Sequence, residues 1–349
     1  MGSKIEASDT ALFCGQFAGT LKAGVGYLNA LKILHGQLEN RSLKAAAETV
    51  IDSIEEGENI SDALILSGAF DECFTACVKK ADERNRLSEC LREFETIYKN
   101  EDRRNRLLNR GIRYPMMMTV FVPVFVFLLM AVIYPHFIAM FSGIDIEIPV
   151  FTRRIFMICG FLSDNMLIIL LIFTALLAVL IIIGCSGFGG KRLSGGLFKN
   201  TVYGKIRKKI LYSRFSEYMA QLLKYDHTRS EALRILSGVF KNDLFFSTLL
   251  ERAAGECDDN VLLSKALEDS GFFSDVYLEL VSLGEEMGNL SECLDNEHRL
   301  NLDEAQRLAE RNLNIKEPLM FFIMAAVLIT VILSMIQPLI SMFDAVSSI

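Results

Sequence analysis

Charged side chains are missing from three long stretches of this 349-residue chain, and their absence limits where the protein can reside. The stretches run over residues 114–144, 165–190 and 318–343, which are 31, 26 and 26 residues long. A transmembrane helix needs about 20 apolar residues, so each stretch is long enough to cross a bilayer. With a hydrophobic content of 51%, they exclude an ordinary cytosolic enzyme, a disordered chain and a disulfide-rich secreted domain.

Several patterns that would indicate other classes of protein are also missing. Residues 2–9 have no apolar core, so we expect no cleaved signal peptide. Alternating apolar and polar residues are absent, so no β-sheet is predicted. The glycine-rich stretch 184–192 lacks the first glycine and the Ser/Thr that a phosphate-binding loop requires.

Residues with catalytic chemistry are few and scattered. The four histidines, at positions 35, 136, 227 and 298, are far apart, and no His-Glu-x-x-His motif is present. No Ser/His/Asp set has a recognisable nucleophile elbow. We therefore predict no catalytic residue, no cofactor and no enzymatic activity.

Basic residues cluster beside the uncharged stretches. Five arginines precede the first stretch within residues 103–113, and eight Lys and Arg without any acid occupy residues 191–214. Because Lys and Arg are retained on the cytoplasmic side, we expect three spans with a cytoplasmic N-terminus and an external C-terminus. This topology places most of the eight cysteines in the reducing cytoplasm, where thiols stay unpaired.

The chain repeats itself at a shift of 202 residues, which becomes 203 after one insertion. Residues 30–34, Ala-Leu-Lys-Ile-Leu, match residues 232–236, Ala-Leu-Arg-Ile-Leu. Residues 87–91 and 290–294 are both Leu-Ser-Glu-Cys-Leu. One register kept over that distance indicates a duplicated unit. Two prolines around the first uncharged stretch recur around the third, as Pro115, Pro135, Pro318 and Pro338.

The duplication predicts an all-α membrane protein with two homologous cytoplasmic six-helix bundles and three transmembrane helices. Apolar periodicity in the first bundle predicts helices at 9–23, 27–38, 41–56, 60–68, 70–81 and 86–113. Gly24, Gly26, Gly57 and the four repeated prolines are predicted to supply helix ends and turns. The predicted segments are a first bundle at 8–113, a span at 114–141, an external loop at 142–164, a second span at 165–186, a basic linker and second bundle at 187–317, and a third span at 318–343.

An acidic turn flanked by glycines in the second repeat is the strongest candidate for a partner contact. Within residues 284–292, Gly288 is predicted to end one helix and Asn289 to cap the next, with Glu292 completing a capping box. Gly284 leaves a bare helix surface that permits a helix or a partner to approach closely. A plain helix-turn-helix corner is the alternative. The partner-contact candidates in the two repeats are Gly284, Glu285, Glu286, Gly288, Asn289, Asp82 and Glu83.

Two further binding functions are less well supported by the sequence. Acidic pairs at 82–83, 258–259 and 285–286 could ligate a hard cation, but most such pairs are solvated or salt-bridged, so a metal site stays unknown. The basic stretch 191–214 fits an anionic membrane surface better than nucleic acid, and no nucleic-acid partner is predicted.

A small-solute carrier or channel subunit is the alternative function for a membrane protein of this kind. Coupled carriers place ionisable residues or broken helices near the middle of the bilayer. The three uncharged stretches of this chain have no ionisable Asp, Glu, Lys or Arg there.

From about residue 10 to residue 343, the sequence resembles the inner-membrane platform proteins of bacterial type II secretion, its F component, and of type IV pilus assembly. The resemblance rests first on the duplicated domain and on the Gly-Glu-Glu-Met-Gly-Asn-Leu stretch at 284–290. It also includes a Leu-x-x-Gly opening at 21–24 and a Glu-Glu-Gly turn at 55–57 followed by Ser-x-Ala-Leu at 61–64. The Ile-Pro-x-x-Thr stretch at 148–152 is similar to the family's proline-threonine element.

This resemblance implies a non-enzymatic scaffold in the bacterial cytoplasmic (inner) membrane that couples an assembly ATPase to pilin insertion into a growing fibre. The implied partners are a hexameric assembly ATPase, other inner-membrane platform components, pilins or pseudopilins, and further copies of the same chain. Secretion, pilus and competence systems stay open as alternatives, and so does the cargo. The first repeat lacks both corner glycines, and Asp226 replaces the opening glycine of the second, so we expect the two bundles to make different contacts.

Overall fold

The computed structural model describes residues 5–107, Met157 and 202–347, and every regular element in these ranges is an α-helix. The predicted all-α class is therefore confirmed. In the first repeat the helices begin and end within two residues of the predicted positions, as far as they lie in these ranges. They are α1 Ala7–Lys22, α2 Tyr27–Gln37, α3 Arg41–Glu55, α4 Ile60–Leu66, α5 Glu72–Glu83 and α6, which is helical over 87–107.

The second repeat has six equivalent helices in the same order. They are α7 Val202–Lys224, α8 Arg229–Val239, α9 Leu244–Asp258, α10 Leu263–Glu268, α11 Asp275–Glu286 and α12 Leu290–Ser347. Polar side chains fix several helix starts, because they accept hydrogen bonds from amides that have no partner within the helix. Asn40 caps α3 and Asp71 caps α5. Thr228 and Glu231 form a complete capping box at α8.

Left-handed backbone conformations mark the same four positions in both repeats. All eight residues have φ between +56° and +100°, and no other described residue has a positive φ. Where glycine is replaced, the residue is Asn or Asp, which tolerate this conformation best. Gly24 and Gly57, which were predicted to supply turns, have φ angles of +85° and +100°, and Gly26 directly precedes α2. The equivalent pairs are Gly24 with Asp226, Gly57 with Asn260, Gly68 with Gly271, and Asn85 with Gly288.

Equivalent hydrogen bonds also join equivalent helices in the two repeats. The Ser88 hydroxyl on α6 donates to the Ala18 carbonyl on α1 at 3.0 Å. The Ser291 hydroxyl on α12 donates to the Ala220 carbonyl on α7 at 2.8 Å. The apolar side chains of both repeats form one continuous buried cluster. The six cysteines in the described part of the chain are free, as predicted.

The described residues of both repeats, up to Leu308, belong to one compact unit, and those from Ala309 onward belong to a second. Within the first unit, α5 of the first repeat packs on α7 and α8 of the second. We call this contact the inter-repeat interface. Cys73 Sγ lies 4.0 Å from the Tyr218 carbonyl oxygen, and Arg84 pairs with Asp226.

Residues 114–141 and 165–186, two of the predicted spans, lie outside the described residues, as do Pro115 and Pro135 and all of the predicted external loop except Met157. In the part of the chain that is described, no helix meets the length and apolarity required of a membrane span. Pro318 and Pro338 do not form the predicted turns, because α12 runs through both. A proline removes one helical hydrogen bond and can kink a helix without ending it.

Candidate functional site

The acidic turn at 284–289 is a helix corner whose geometry depends on Gly288. This residue has a φ of +69°. The Asn289 N–H donates to the Gly284 carbonyl at 3.1 Å, and the Gly288 N–H donates to the Glu285 carbonyl at 3.3 Å. This pair of hydrogen bonds is the Schellman pattern that ends α11.

The predicted capping box at the start of α12 is not formed. The Asn289 carbonyl accepts from the backbone amides of Glu292 and Cys293. The Asn289 side-chain oxygen instead accepts from the Cys293 thiol at 3.5 Å. Asn289 therefore holds the start of α12 mainly through its backbone.

Gly284 lies at a close helix crossing. A β-carbon built on Gly284 would lie 2.9 Å from Cys293 Cβ, 3.0 Å from Cys293 Sγ and 3.3 Å from Leu290 Cα. The bare surface predicted at this position is therefore occupied by α12 of the same chain.

Glu285 and Glu286 have different surroundings, although the sequence treats them as one acidic pair. The Glu285 side chain is only 3% exposed, whereas Glu286 is exposed. The Glu285 carboxylate accepts from the Leu263 N–H at 2.7 Å, from the Ser264 N–H at 3.0 Å and from Arg229 at 2.7 Å. It thus caps α10 from a neighbouring helix, because Leu262 before α10 provides no side-chain cap.

The charge of Glu285 is stabilised by these donors. Burial raises the pKa of Glu285, but the Ser264 and Leu263 amides and Arg229 outweigh burial and lower its pKa overall. As a partner contact Glu285 stays a prediction, but its carboxylate is already engaged within the protein.

The equivalent corner of the first repeat has a different side-chain arrangement. Asp82 is half-buried, and burial together with Glu83 raises the pKa of Asp82. Asp82 is one methylene shorter than Glu285, and among the described residues it has no hydrogen bond to the start of α4. Glu83 is exposed. Glu83 and Glu286, which are equivalent in the repeat, are the two candidate carboxylates that solvent or a partner can reach.

A metal site was left open by the sequence. Within residues 5–107, Met157 and 202–347, no three or more His, Cys, Asp or Glu side chains are grouped to hold a metal ion. Asp258, from the acidic pair at 258–259, accepts instead from Ser230 and Arg234.

A buried ionic network joins α6 of the first repeat to α7 and α12 of the second. Arg104 is only 1% exposed and pairs with Glu217 at 2.6 Å and with Glu101 at 3.0 Å. Arg214 lies 3.2 Å from the same Glu101 carboxylate. His298 Nε2 lies 3.3 Å from Glu217. Such groups are costly to bury singly, and each charge here has a partner.

This network was not predicted from the sequence. Arg104 was expected to flank a membrane span with the neighbouring arginines, whereas the structure places Arg104 in the protein interior. The only sequence signal was a charge at a position where the helical period of α6 puts buried residues such as Ile97.

Ser213, His298 and Glu217 form a linked set that resembles a catalytic arrangement in its residue types. The Ser213 hydroxyl lies 3.0 Å from His298 Nδ1, and the other ring nitrogen faces Glu217. However, Ser213 has no exposed surface, so its hydroxyl cannot reach a substrate. The set completes the buried network. Burial lowers the pKa of His298, and the nearby Glu217 carboxylate opposes this shift only in part.

A groove of about 880 Å³ lies beside the network, between α6, α7 and α12. Its lining includes Glu217 and His298 from the network and Asn289 and Glu292 from the corner. The groove therefore connects the candidate corner to the inner charges of the protein.

Comparison with known proteins identifies the family. The model of the family described as "Type II secretion system (T2SS), protein F" matches this chain twice, at residues 13–135 and 215–338. The two matches start 202 residues apart and end 203 residues apart, which reproduces the shift seen in the sequence. Together they cover more than half of the chain, which belongs to the type II secretion protein F family.

Curated relatives span nearly the whole chain. The type IV pilus assembly protein PilC of Thermus thermophilus is 26% identical, and the alignment covers 97% of this chain and 84% of that protein. The type IV pilus assembly protein PilC of Pseudomonas aeruginosa is 20% identical, with 99% and 92% covered. The type II secretion system protein F of Aeromonas hydrophila is 23% identical, with 97% and 88% covered.

Proposed function

We propose that this protein is the non-enzymatic inner-membrane platform of a type II secretion or type IV pilus machine, including competence systems. In this role it couples a cytoplasmic assembly ATPase to the insertion of pilins or pseudopilins into a growing fibre. The observation that carries the proposal is the double family match, because it covers both repeats and extends to relatives in both kinds of machine.

The proposed arrangement has two cytoplasmic six-helix bundles and three transmembrane helices. The support for the spans is the three uncharged stretches and the basic residues beside them. The support for the bundles is the matched order of helices α1–α6 and α7–α12 in the described residues. The N-terminus is cytoplasmic and the C-terminus external in this arrangement.

A deletion strain tests the function. Loss of the gene should abolish fibres or secretion, and the intact gene should restore them. Purified protein in liposomes should move no solute, whereas direct solute uptake by those liposomes would support a carrier instead. Normal fibres and secretion in the deletion strain would contradict the platform function.

Reporter fusions test the topology separately. A phosphatase that works only outside the cytoplasm should be active after Ser348 and inactive near Asn260. The reverse pattern would contradict the proposed orientation without touching the family assignment.

The partner surface is tested best at the two exposed carboxylates. Glu286→Lys changes an exposed residue and should leave the fold intact, and Glu83→Lys is the matched variant in the first repeat. We expect only one of the two to prevent fibre assembly, because the two bundles are proposed to contact different partners. Normal assembly by both variants would mean that neither corner is a contact.

A further inference from the structure

Helices α5 and α11 are equivalent in the repeat, but α5 packs on two helices of the other repeat, whereas the equivalent face of α11 is exposed. At the inter-repeat interface α5 uses Cys73 against Tyr218 and Arg84 against Asp226. The equivalents of Cys73, Lys80 and Arg84 on α11 form an apolar row that no described part of the chain covers. We call it the α11 row: Val276, Leu283 and Met287, which are 68%, 48% and 64% exposed.

The surface that receives α5 in the second repeat also has an uncovered equivalent. In the second repeat, a β-carbon on Gly238 of α8 would clash with the Glu72 carboxylate of α5. In the first repeat, a β-carbon on the equivalent Gly36 of α2 would meet nothing within 4 Å. Ile33, on the same helix, is 50% exposed. The α1–α2 face of the first repeat is thus open where the α7–α8 face is filled.

The residues on these two open surfaces differ from the inter-repeat interface in a coordinated way. Where the interface has the ion pair between Arg84 and Asp226, the open surfaces have Met287 and Gly24. If only one of the two open surfaces had a charge, that charge would be left unpaired on contact. The absence of both charges therefore keeps the two surfaces compatible.

The next position along the helix shows the same relationship. Lys80 acts electrostatically on His227 at the interface, and the equivalent residues on the open surfaces are Leu283 and Val25. At both positions a polar residue of the inter-repeat interface corresponds to an apolar residue on an open surface. When two apolar surfaces meet, the apolar area that is removed from water stabilises the contact.

We propose that α11 of one copy docks on α1 and α2 of a second copy, as α5 docks on α7 and α8 within one chain. The occupant is a second copy because the α1–α2 face is the backbone equivalent of a surface that already binds α5. The contact joins two different surfaces and is therefore head-to-tail, so repetition produces a ring or an open chain of copies. The inference specifies the self-association surface of the proposed platform, and it rests on the proposed function only for the expectation that copies meet in the cell.

Cross-linking between two differently tagged full-length copies tests the contact. One copy carries Val25→Cys and the other carries Leu283→Cys, and a short bis-maleimide joins thiols that lie close together. The control pair replaces Leu283→Cys by Leu244→Cys on α9, which is also exposed. The native cysteines of the described residues are buried or half-buried, and single-variant copies measure their background.

We expect at least tenfold more cross-linking between chains for the Val25 and Leu283 pair than for the control. Equal cross-linking of the two pairs, or none above background, would overturn the proposed surface. Neither result bears on the platform function, because this readout does not involve fibres.

A second measurement uses association itself. Leu283→Glu with Met287→Glu should raise the dissociation constant between copies in detergent at least tenfold. The matched control, Leu244→Glu with Phe245→Glu, places two charges on another exposed apolar patch. This control should leave the dissociation constant between copies unchanged. An unchanged thermal melting temperature confirms that both variants fold. Equal dissociation constants for the two variants would contradict the proposal.

Discussion

Glu285 and Glu286 are neighbours on α11, but Glu285 is buried and has a structural role, whereas Glu286 lies on the surface. Successive residues of an α-helix point about 100° apart, so one carboxylate of the pair faces α10 while the other faces solvent. Glu285 accepts hydrogen bonds from two backbone amides and from Arg229. Its contribution is therefore to stability, whereas Glu286 is available for binding.

We expect Glu285→Gln to lower the free energy of unfolding by about 2 kcal/mol at pH 7, since charge-assisted hydrogen bonds to buried groups are lost. Glu286→Gln should change it by less than about 0.5 kcal/mol. The pKa of Glu285 is lowered on folding from its usual value of 4.5. Its stabilisation is thus present above that pH and is lost as the pH falls further.

Thermal or denaturant melting of the full chain in detergent measures both variants. Their difference should shrink as the pH falls below 4.5, because the stabilisation by the Glu285 carboxylate is lost in that direction. Equal stability of the two variants at pH 7 would contradict the cap.

Gly284 and Gly288 should respond to alanine for different reasons. Gly288→Ala places a β-carbon on a residue with a φ of +69°, which costs about 1 kcal/mol. Gly284→Ala gains about 0.5–1 kcal/mol of helix propensity but places a β-carbon 2.9 Å from Cys293 Cβ. Overpacking of this kind costs about 1–3 kcal/mol, so we expect a net loss.

Melting of the two alanine variants against wild type measures these effects. A stabilised Gly284→Ala variant would show that α12 can move away at no cost. The first repeat has Ala81 and Cys90 at the equivalent positions, and both are buried, so the methyl group is accommodated there.

At this scale the sequence predicted backbone better than side-chain contacts. Gly288, Gly24 and Gly57 were identifiable because a left-handed residue is most often glycine. The burial of Glu285 was not identifiable from the sequence, because the groups that donate to its carboxylate belong to Ser264 and Arg229, which are 21 and 56 residues away.

At the scale of helices, α6, α7 and α12 are held together by charge as well as by apolar packing. Arg104, which is only 1% exposed, lies between Glu217 and Glu101. Helix positions and lengths were predictable from apolar periodicity, whereas this network depends on tertiary pairing that no single helix reveals. The continuity of α12 through Pro318 was likewise missed, because proline is usually a helix breaker.

Removing one charged partner from the network should lower the free energy of unfolding substantially. We expect Glu217→Gln to lower the free energy of unfolding by about 3 kcal/mol, because Arg104 is left buried with a weakened partner. Arg104→Met with Glu217→Leu should cost less than the sum of the two single substitutions, since it removes both charges.

The exposed pair Arg299–Asp295 provides the control. Asp295→Asn should change the free energy of unfolding by less than about 0.5 kcal/mol. Additive effects of the two network substitutions would contradict the coupling.

At the scale of the whole molecule, two buried histidines should make stability depend on pH. Burial lowers the pKa of both His298 and His227. The unfolded chain therefore binds more protons than the folded protein near pH 6.5, and stability falls as the pH decreases through that range. Each histidine contributes at most about 1.4 kcal/mol per pH unit.

Denaturation midpoints of the full chain between pH 7.5 and pH 5.5 measure this dependence. His298→Gln should reduce the slope, and His298→Gln with His227→Gln should reduce it further. A slope unchanged in the double variant would assign the pH dependence to other groups.

The exchange of charges between equivalent positions makes the two halves of the gene non-interchangeable. In the second repeat Arg214, Glu217 and His298 complete the ionic network, whereas the equivalent residues in the first repeat are Leu12, Gly15 and Glu95. A protein made by writing the first half twice would keep every helix and every turn. It would nevertheless bury Arg104 and Glu101 beside a leucine and a glycine, without the partners supplied by Arg214 and Glu217. After duplication, the two copies have thus become mutually dependent, and an evolutionary return to two identical halves would pass through a protein in which Arg104 and Glu101 have only each other as partners.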